Sequence, residues 1–475
     1  MGEYNYLIPP RGRGGGPPRL RGGGGGLALS DLQSFLARQR AIFTSAHLKS
    51  QTLATQATAW RGGVPMHWMR DWATPFPLYV ESAKGAKLTV VDGYEYDDFC
   101  LGDTPSMFGH ARPELAAAIA QQAGQGVGFM LPTPLANEVG DLLSERFQMA
   151  KWQVATTASD ANRAVIRWAR AITKRDKILI FDGCYHGMVD DCFVALYDGV
   201  ATNKKGLIGQ IVDQTRATKV IPFNDLRALN QALSAGDVAA VLAEPVMTNC
   251  GMIQPIEGFN ERLRELCTQH GTLLILDETH TLSSGVSGYS GAHGLKPDMF
   301  VVGKAIAGGI PAAVWGVTAE VAARMDVAQA EIGPGQSGIG TTLSGNALVM
   351  AAIKTMLTEV MTLEAYKHML CGAAYLVAGL RDVIKRNDLP WCVVHVGARA
   401  ELIFAPQAPK NAEDMRRHLA HDLLEAFHLY LINKGVLIAP FQNMMLISPQ
   451  TGFDAIDRLV SAVQSFADQW KRLAD

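Results

Sequence analysis

The chain has 475 residues, of which 48% are hydrophobic and 19% charged, with a formal net charge of -2. At that length a single core stops growing, so two lobes are expected, and the near-neutral balance gives no strong field for nucleic acid or an anionic membrane. No apolar run is long enough to span a bilayer and no charged-then-apolar leader is seen, while the seven cysteines (100, 184, 192, 250, 267, 371, 392) include no C-x-x-C pair and sit in apolar segments. The expectation is a cytoplasmic protein with buried, reduced thiols.

Residues Pro9 to Gly26 are almost entirely Gly, Pro and Arg and cannot bury apolar surface, so 1–26 reads as a flexible tail. Leu27 to Thr58 has helical spacing, which Arg61-Gly62-Gly63-Val64-Pro65 breaks. Trp68, Trp72, Phe76 and Tyr79 then crowd a segment that also carries Arg70, and 27–86 is expected to pack with the smaller domain. Leu88 to Phe99 gives two β-like runs about Asp92-Gly93, a strong hairpin signal. His110 reads as a turn or capping residue, and Pro113 opens an amphipathic stretch, Glu114 to Ala123.

From about Asn137 to Glu320 helices and strands alternate. Helices are expected over Glu138–Phe147, Asp160–Thr173, Leu226–Ala235 and Asn260–His270. Strands are expected over Gln153–Thr156, Lys177–Phe181, Lys219–Pro222, Ala239–Ala243, Leu273–Leu276 and Met299–Val302. Alternation of this kind argues for an α/β fold with a mainly parallel sheet wrapped by helices. The large domain is expected to cover 87–350. In 351–475 a small α+β domain follows, with strands near Cys392–His395, Glu401–Phe404, Val436–Ala439 and Met444–Ile447.

Several strand ends carry chemistry. Leu273-Leu274-Ile275-Leu276 ends in Asp277-Glu278-Thr279-His280, and Met299-Phe300-Val301-Val302 ends in Gly303-Lys304. Such ends are where open α/β sheets bind ligands. Thr156 to Asn162 sets small residues and hydroxyls at a helix start, where free N–H groups and the helix dipole suit a phosphate, or where Thr or Ser acts as a plain cap. Tyr185 follows a strand and can stack on a flat ring, and Glu244-Pro245 brings another carboxylate to the same rim. Pyridoxal phosphate needs all of these groups together.

The motifs resemble those of the class III, fold type I pyridoxal-phosphate aminotransferases, the group of ω- and β-amino-acid transaminases and glutamate-1-semialdehyde aminomutase. Their D-E-V-x-T is here Asp277-Glu278-Thr279-His280-Thr281, and their N-S-G-[ST]-[ED]-A-N is Thr156 to Asn162. Their Y-H-G is Tyr185-His186-Gly187, their E-P-V is Glu244-Pro245-Val246, and their G-T-[LF]-S-G-N ends as Thr342-Leu343-Ser344-Gly345-Asn346.

The resemblance implies a large domain with a mainly parallel seven-stranded sheet and a smaller α+β domain. Lys304 would condense with the cofactor aldehyde, Asp277 would pair with the ring nitrogen, Ala158 and Ser159 would bind the phosphate, and Tyr185 would stack on the ring. His186 and Glu244 would also belong to the cofactor site, and His280 would lie near the phenolic oxygen. Thr342 would reach the neighbouring subunit's cofactor, which requires a homodimer with the active site at its interface. Departures from the family pattern include Thr279 for valine, His280 for Gln or Met, and Thr156 and Ala158 for Asn and Gly.

The resemblance further implies a transaminase that moves an amino group from a β- or ω-amino acid or amine to pyruvate or 2-oxoglutarate by a ping-pong mechanism. The alternative is an aminomutase or racemase on the same scaffold. A binding protein that has lost catalysis is disfavoured by the intact Asp277 and Lys304. Arg399 and then Arg70 are expected to meet a substrate carboxylate, because a guanidinium fork matches two oxygens, and Trp68 to line an apolar side-chain pocket. No metal is expected.

Overall fold

A computed structural model describes residues 29–335, 337–440 and 442–474; the expected tail at 1–26 lies outside them. The described chain opens with helices Leu29–Ala46 and Leu48–Gln56, and three short strands follow: β1 (Val80–Lys84), β2 (Lys87–Val90) and β3 (Glu95–Asp98). They pair antiparallel in sequence order. Gly93, in the expected turn, sits at φ 89°, a left-handed conformation that a residue without Cβ holds freely.

The central region supplies β4 (Lys151–Ala155), β5 (Lys177–Phe181), a hairpin of β6 (Val194–Tyr197) and β7 (Val200–Asn203), then β8 (Thr218–Ile221), β9 (Val238–Ala243), β10 (Leu273–Asp277), β11 (Met299–Val302) and β12 (Ala313–Val317). Seven of these form one sheet in the order β4-β12-β11-β10-β9-β5-β8. Only β12 runs against its neighbours, because the short connection of residues 303–312 folds it straight back beside β11; a parallel return would need a long crossover. Every residue of β9, β10, β11 and β12 is buried. This explains why these strands are unbroken apolar runs rather than alternating ones.

Helix Ala158–Thr173 packs across β9, β11 and β12 through Ala161, Ala164, Val165 and Ala169, a single face at helical spacing. Beyond β12 the chain adds β13 (Cys392–Val396), β14 (Arg399–Ile403), β15 (Val436–Leu437) and β16 (Met444–Leu446). β13, β14 and β16 form their own antiparallel sheet. The long helix Leu363–Asn387 packs against Phe453–Ala474, and the first helix, Leu29–Ala46, lies on His421–Asn433.

β15 pairs in parallel with β3, setting Val436 opposite Asp97, so the N-terminal sheet is completed by the C-terminal part of the chain. Arg458 adds two hydrogen bonds to Asp97, at 2.6 and 2.8 Å. The expected division at residue 87 therefore falls at the start of β2, within the β1–β2 hairpin, and β2 and β3 share a sheet with β15 rather than with the seven strands. Five of the seven cysteines are buried; Cys392 is half-buried and Cys371 is exposed on the outer face of Leu363–Asn387, where the expectation of a buried thiol fails. No helix among the described residues is long and apolar enough to cross a membrane.

Candidate active site

The register of the sheet brings its carboxyl ends level. Asp277 stands opposite Val301, and Leu276 opposite Ala243, so the residues that follow β9, β10 and β11 emerge side by side. These are Glu244, the Asp277 to His280 segment and Gly303-Lys304. Tyr185 and His186 follow β5, and Ala158 follows β4. Together they wall a cavity of about 270 Å³ whose lining includes Trp68, Pro105, Ala158, Ser159, Tyr185, His186, Glu244, Asn249, Asp277, Thr279, His280 and Lys304.

Asp277 is only 5% exposed, yet its two oxygens have four donors. His186 Nδ1 and Asn162 Nδ2 meet Oδ2 at 3.0 and 2.9 Å, while the Thr279 hydroxyl and backbone N–H meet Oδ1 at 2.7 and 3.1 Å. Burial alone would push the Asp277 pKa up, but the bond and charge of His186, then Thr279 and Asn162, outweigh it and hold it below the usual carboxylate value. For His186, burial works downward, and neighbouring Cys184 with the bond to Asp277 carries its pKa well above the ordinary histidine value. The floor of the cavity therefore holds a buried, ionised carboxylate. Thr279, one of the departures from the family pattern, supplies two of the donors.

Lys304 has φ 49° and points its Nζ at two groups, Asp103 Oδ2 and His280 Nε2, each at 2.6 Å. His280 passes the contact on: its Nδ1 lies 2.7 Å from the Thr248 hydroxyl, which in turn donates to Glu244. Burial first, then the charges of Lys304 and Arg399, drive the His280 pKa far below 6.5, so the ring is neutral. Asp103 is a residue that the sequence reading missed. It sits in a run of left-handed backbone, Leu101 to Thr104, with φ from 50° to 101°. Asp98 anchors this run through the N–H groups of Cys100 and Leu101, and His110 bonds Asp98 from behind at 2.8 Å. His110 thus holds a turn, as its sequence context suggests.

At the other end of the cavity, helix Ala158–Thr173 starts at Thr157, whose hydroxyl accepts from the Asp160 N–H at 3.2 Å. The first-turn amides of a helix have no partner within it, so the Ala158 and Ser159 end presents N–H groups and a positive dipole end to the cavity. Gly303 makes the approach possible: a Cβ there would lie 2.9 Å from Ala158 Cβ. The Ser159 hydroxyl is committed to the Met188 N–H at 2.9 Å. Tyr185 and Trp68 meet at 6.2 Å between ring centroids, tilted by 58°, and both face the cavity.

Three expected residues are not on this chain's cavity wall, which for Thr342, expected at a neighbouring subunit's cofactor, is no departure. Arg399 is 1% exposed, and its guanidinium donates to the His280 carbonyl at 3.0 Å and the Thr104 hydroxyl at 2.6 Å; it stands behind the wall, not on it. Arg70 is exposed on the segment that carries Trp68 and donates to the Gly62 carbonyl at 3.2 Å. Thr342 is exposed on its own chain, next to Thr341, whose hydroxyl reaches Thr156 at 2.8 Å. Among the described residues no group of acidic, histidine or cysteine side chains could hold a metal.

An ionised carboxylate on the floor, an amine at a strand end, a tyrosine ring and a helix start fit the ring nitrogen, aldehyde, ring face and phosphate of pyridoxal phosphate. The chain belongs to the class-III aminotransferases, whose family model, Aminotransferase class-III, matches residues 68–460. It is an enzyme of that class and its cofactor is pyridoxal phosphate. Its relatives include glutamate-1-semialdehyde 2,1-aminomutase 2 of Brevibacillus brevis, 34% identical over 396 residues, which are 81% of this chain and 90% of that one. A glutamate-1-semialdehyde-aminomutase from Pseudomonas aeruginosa, solved in complex with PMP, is 44% identical with a TM-score of 0.90, covering 92% of this chain and 98% of that one. A β-phenylalanine aminotransferase from Variovorax paradoxus has a TM-score of 0.80 at 26% identity, with coverage of 92% and 97%. The fold type I architecture expected from the sequence is the one observed.

Proposed function

We propose that this enzyme shifts an amino group within one small substrate, as an aminomutase of the glutamate-1-semialdehyde type. The observation that carries this choice over intermolecular transamination is the likeness to aminomutases over 81% and 92% of the chain at 34% and 44% identity, against 26% for the β-phenylalanine aminotransferase. This reading reverses the order that the motifs alone suggest.

When bound, pyridoxal phosphate supplies an aldehyde for amine exchange and a ring that withdraws the electron pair of a breaking C–H bond. Asp277, kept ionised by His186, Thr279 and Asn162, holds a cationic ring nitrogen in place. Lys304 emerges beside it on a strand end and is the base that takes the substrate's Cα proton and returns it. Trp68 and Pro105 supply apolar surface to the cavity wall. Arg70, exposed on the Trp68 segment, is the guanidinium we assign to a substrate carboxylate, and Arg399 holds the His280 backbone. In this reading the enzyme is a cytoplasmic homodimer. The exposed Thr342 and the exposed apolar Phe129, Met130 and Leu131 support a second copy packing there, and the buried free thiols suit a reducing compartment.

A second reading, transfer from a β- or ω-amino acid to a keto acid, draws on the TM-score of 0.80 to the β-phenylalanine aminotransferase. The test is to incubate the cofactor-loaded enzyme with glutamate-1-semialdehyde and no keto acid. Formation of the isomer with its amine on carbon 1 is expected. Turnover only of amino acids, with pyruvate or 2-oxoglutarate consumed one for one, replaces this proposal with the second reading.

A further inference from the structure

The bonds behind Lys304 form a chain with a determined polarity. Glu244 is 5% exposed and faces donors only: the Thr248 hydroxyl, the Thr248 N–H at 3.2 Å and the Asn249 amide at 3.3 Å. As a carboxylate it can only accept, so the single Thr248 hydroxyl proton points to Glu244. The Thr248 oxygen then has lone pairs alone to offer His280 Nδ1, 2.7 Å away, and that nitrogen must carry the ring proton. Nε2 is left bare, and its lone pair faces Lys304 Nζ at 2.6 Å. Asp103 stands on the other side of the amine, Arg399 holds the His280 carbonyl, and His186 and Asp277 are the charged neighbours of Glu244.

We propose that Glu244, Thr248 and His280 form a relay that takes a proton from Lys304 and stores it on Glu244. The Lys304 ammonium proton passes to His280 Nε2. The Nδ1 proton passes to the Thr248 oxygen, and the Thr248 hydroxyl proton passes to Glu244. No proton is gained or lost: Lys304 becomes a neutral amine, His280 stays neutral in its other tautomer, and Glu244 becomes a carboxylic acid. His280 thereby changes from an acceptor at Nε2 into a donor, the polarity required by a cofactor's phenolic oxygen. The inference rests on Lys304 being the reacting amine and holds whether the amino group moves within one molecule or between two. Thr248 and Glu244 are positioning residues that act through His280.

The experiment is nitrogen NMR of the full-length chain with labelled histidine, before and after loading with pyridoxal phosphate. His280 is assigned by its loss in His280→Gln. The cofactor-free chain is expected to show a protonated Nδ1 and a bare Nε2, and the loaded chain the reverse. Thr248→Val, which keeps the volume and removes the hydroxyl, should abolish the switch and lower turnover by roughly 100-fold, while Thr248→Ser should restore both the switch and most of the rate. The same His280 tautomer in both states of the wild type overturns the proposal, as does Thr248→Val with a normal switch. Should the valine variant not fold, the wild-type pair of spectra decides alone. Because the readout is a tautomer, a substrate result against the aminomutase reading leaves this test standing.

Discussion

Lys304 Nζ and Asp103 Oδ2 lie 2.6 Å apart, and both residues occupy left-handed backbone, at φ 49° and 58°. Such conformations cost about 1–3 kcal/mol each outside glycine and persist where surrounding contacts over-determine them. Here Asp98 fixes the start of the Asp103 loop and Arg399 fixes its end through Thr104. The strain holds a carboxylate against the Lys304 amine, which gives Asp103 a place beside the cavity that no motif assigns.

Asp103→Asn tests that place. Asparagine keeps the shape and tolerates left-handed backbone, so the melting temperature should stay near that of the wild type. A hydrogen bond to a charged group is worth about 1.5–3 kcal/mol, so turnover should fall by roughly 10- to 100-fold. Steady-state rates beside thermal melts separate the two effects; a folded variant with wild-type turnover would place Asp103 outside the working site.

In the role proposed for Lys304, base and nucleophile are one residue, so Lys304→Ala should remove the visible absorbance of the lysine–cofactor imine and reduce turnover by at least roughly 10³-fold. Spectra of the loaded variant and product assays provide the check. A variant that keeps both signals would move the reacting amine to another residue.

Thr279→Val removes one side-chain donor to Asp277 at nearly constant volume. Asp277 Oδ1 then keeps only the backbone N–H of residue 279. The carboxylate is less well held in its ionised form, so pyridoxal phosphate should bind roughly 10-fold more weakly, about 1.4 kcal/mol for one charge-assisted bond. A cofactor titration followed by absorbance measures this; because the Gly303 N–H also loses its acceptor in the Thr279 hydroxyl, the urea midpoint is expected to fall as well.

The site was legible in the sequence where chemistry is local. Asp277 and Lys304 each terminate a four-residue apolar run, and the parallel register sets those ends level whatever the rest of the chain does. Asp103 was not legible, because its loop is shaped by contacts such as Arg399 to Thr104, 295 residues apart. The direction of Arg399 was not legible because β14 is buried at all five positions, so alternation along the strand gives no hint of which way a cation faces. β12 was missed for a similar reason: five apolar residues after a Gly-Gly-Ile-Pro turn carry no sign of direction. The β6–β7 hairpin did carry a signal, Asp198-Gly199 with φ 53° and 76°, the dipeptide that favours tight hairpin turns.

Glu401 offers a test of stability remote from the chemistry. It is fully buried on β14, with no well-formed hydrogen bond to either oxygen. Burial raises its pKa to about 8, against a small opposing pull from the Asn443 N–H. In the unfolded chain the group ionises near its ordinary value of 4.5. Between those two values the folded state holds one proton more than the unfolded state, so the contribution of Glu401 is whole below pH 4.5 and declines by about 1.4 kcal/mol per unit as pH rises towards 8. Glu401→Gln fills the same space and never ionises. Urea unfolding should therefore give nearly equal stabilities for variant and wild type at pH 5, and at pH 8 a variant more stable by a few kcal/mol. A difference that does not change between the two pH values would mean that Glu401 is ionised in the fold and held by a partner.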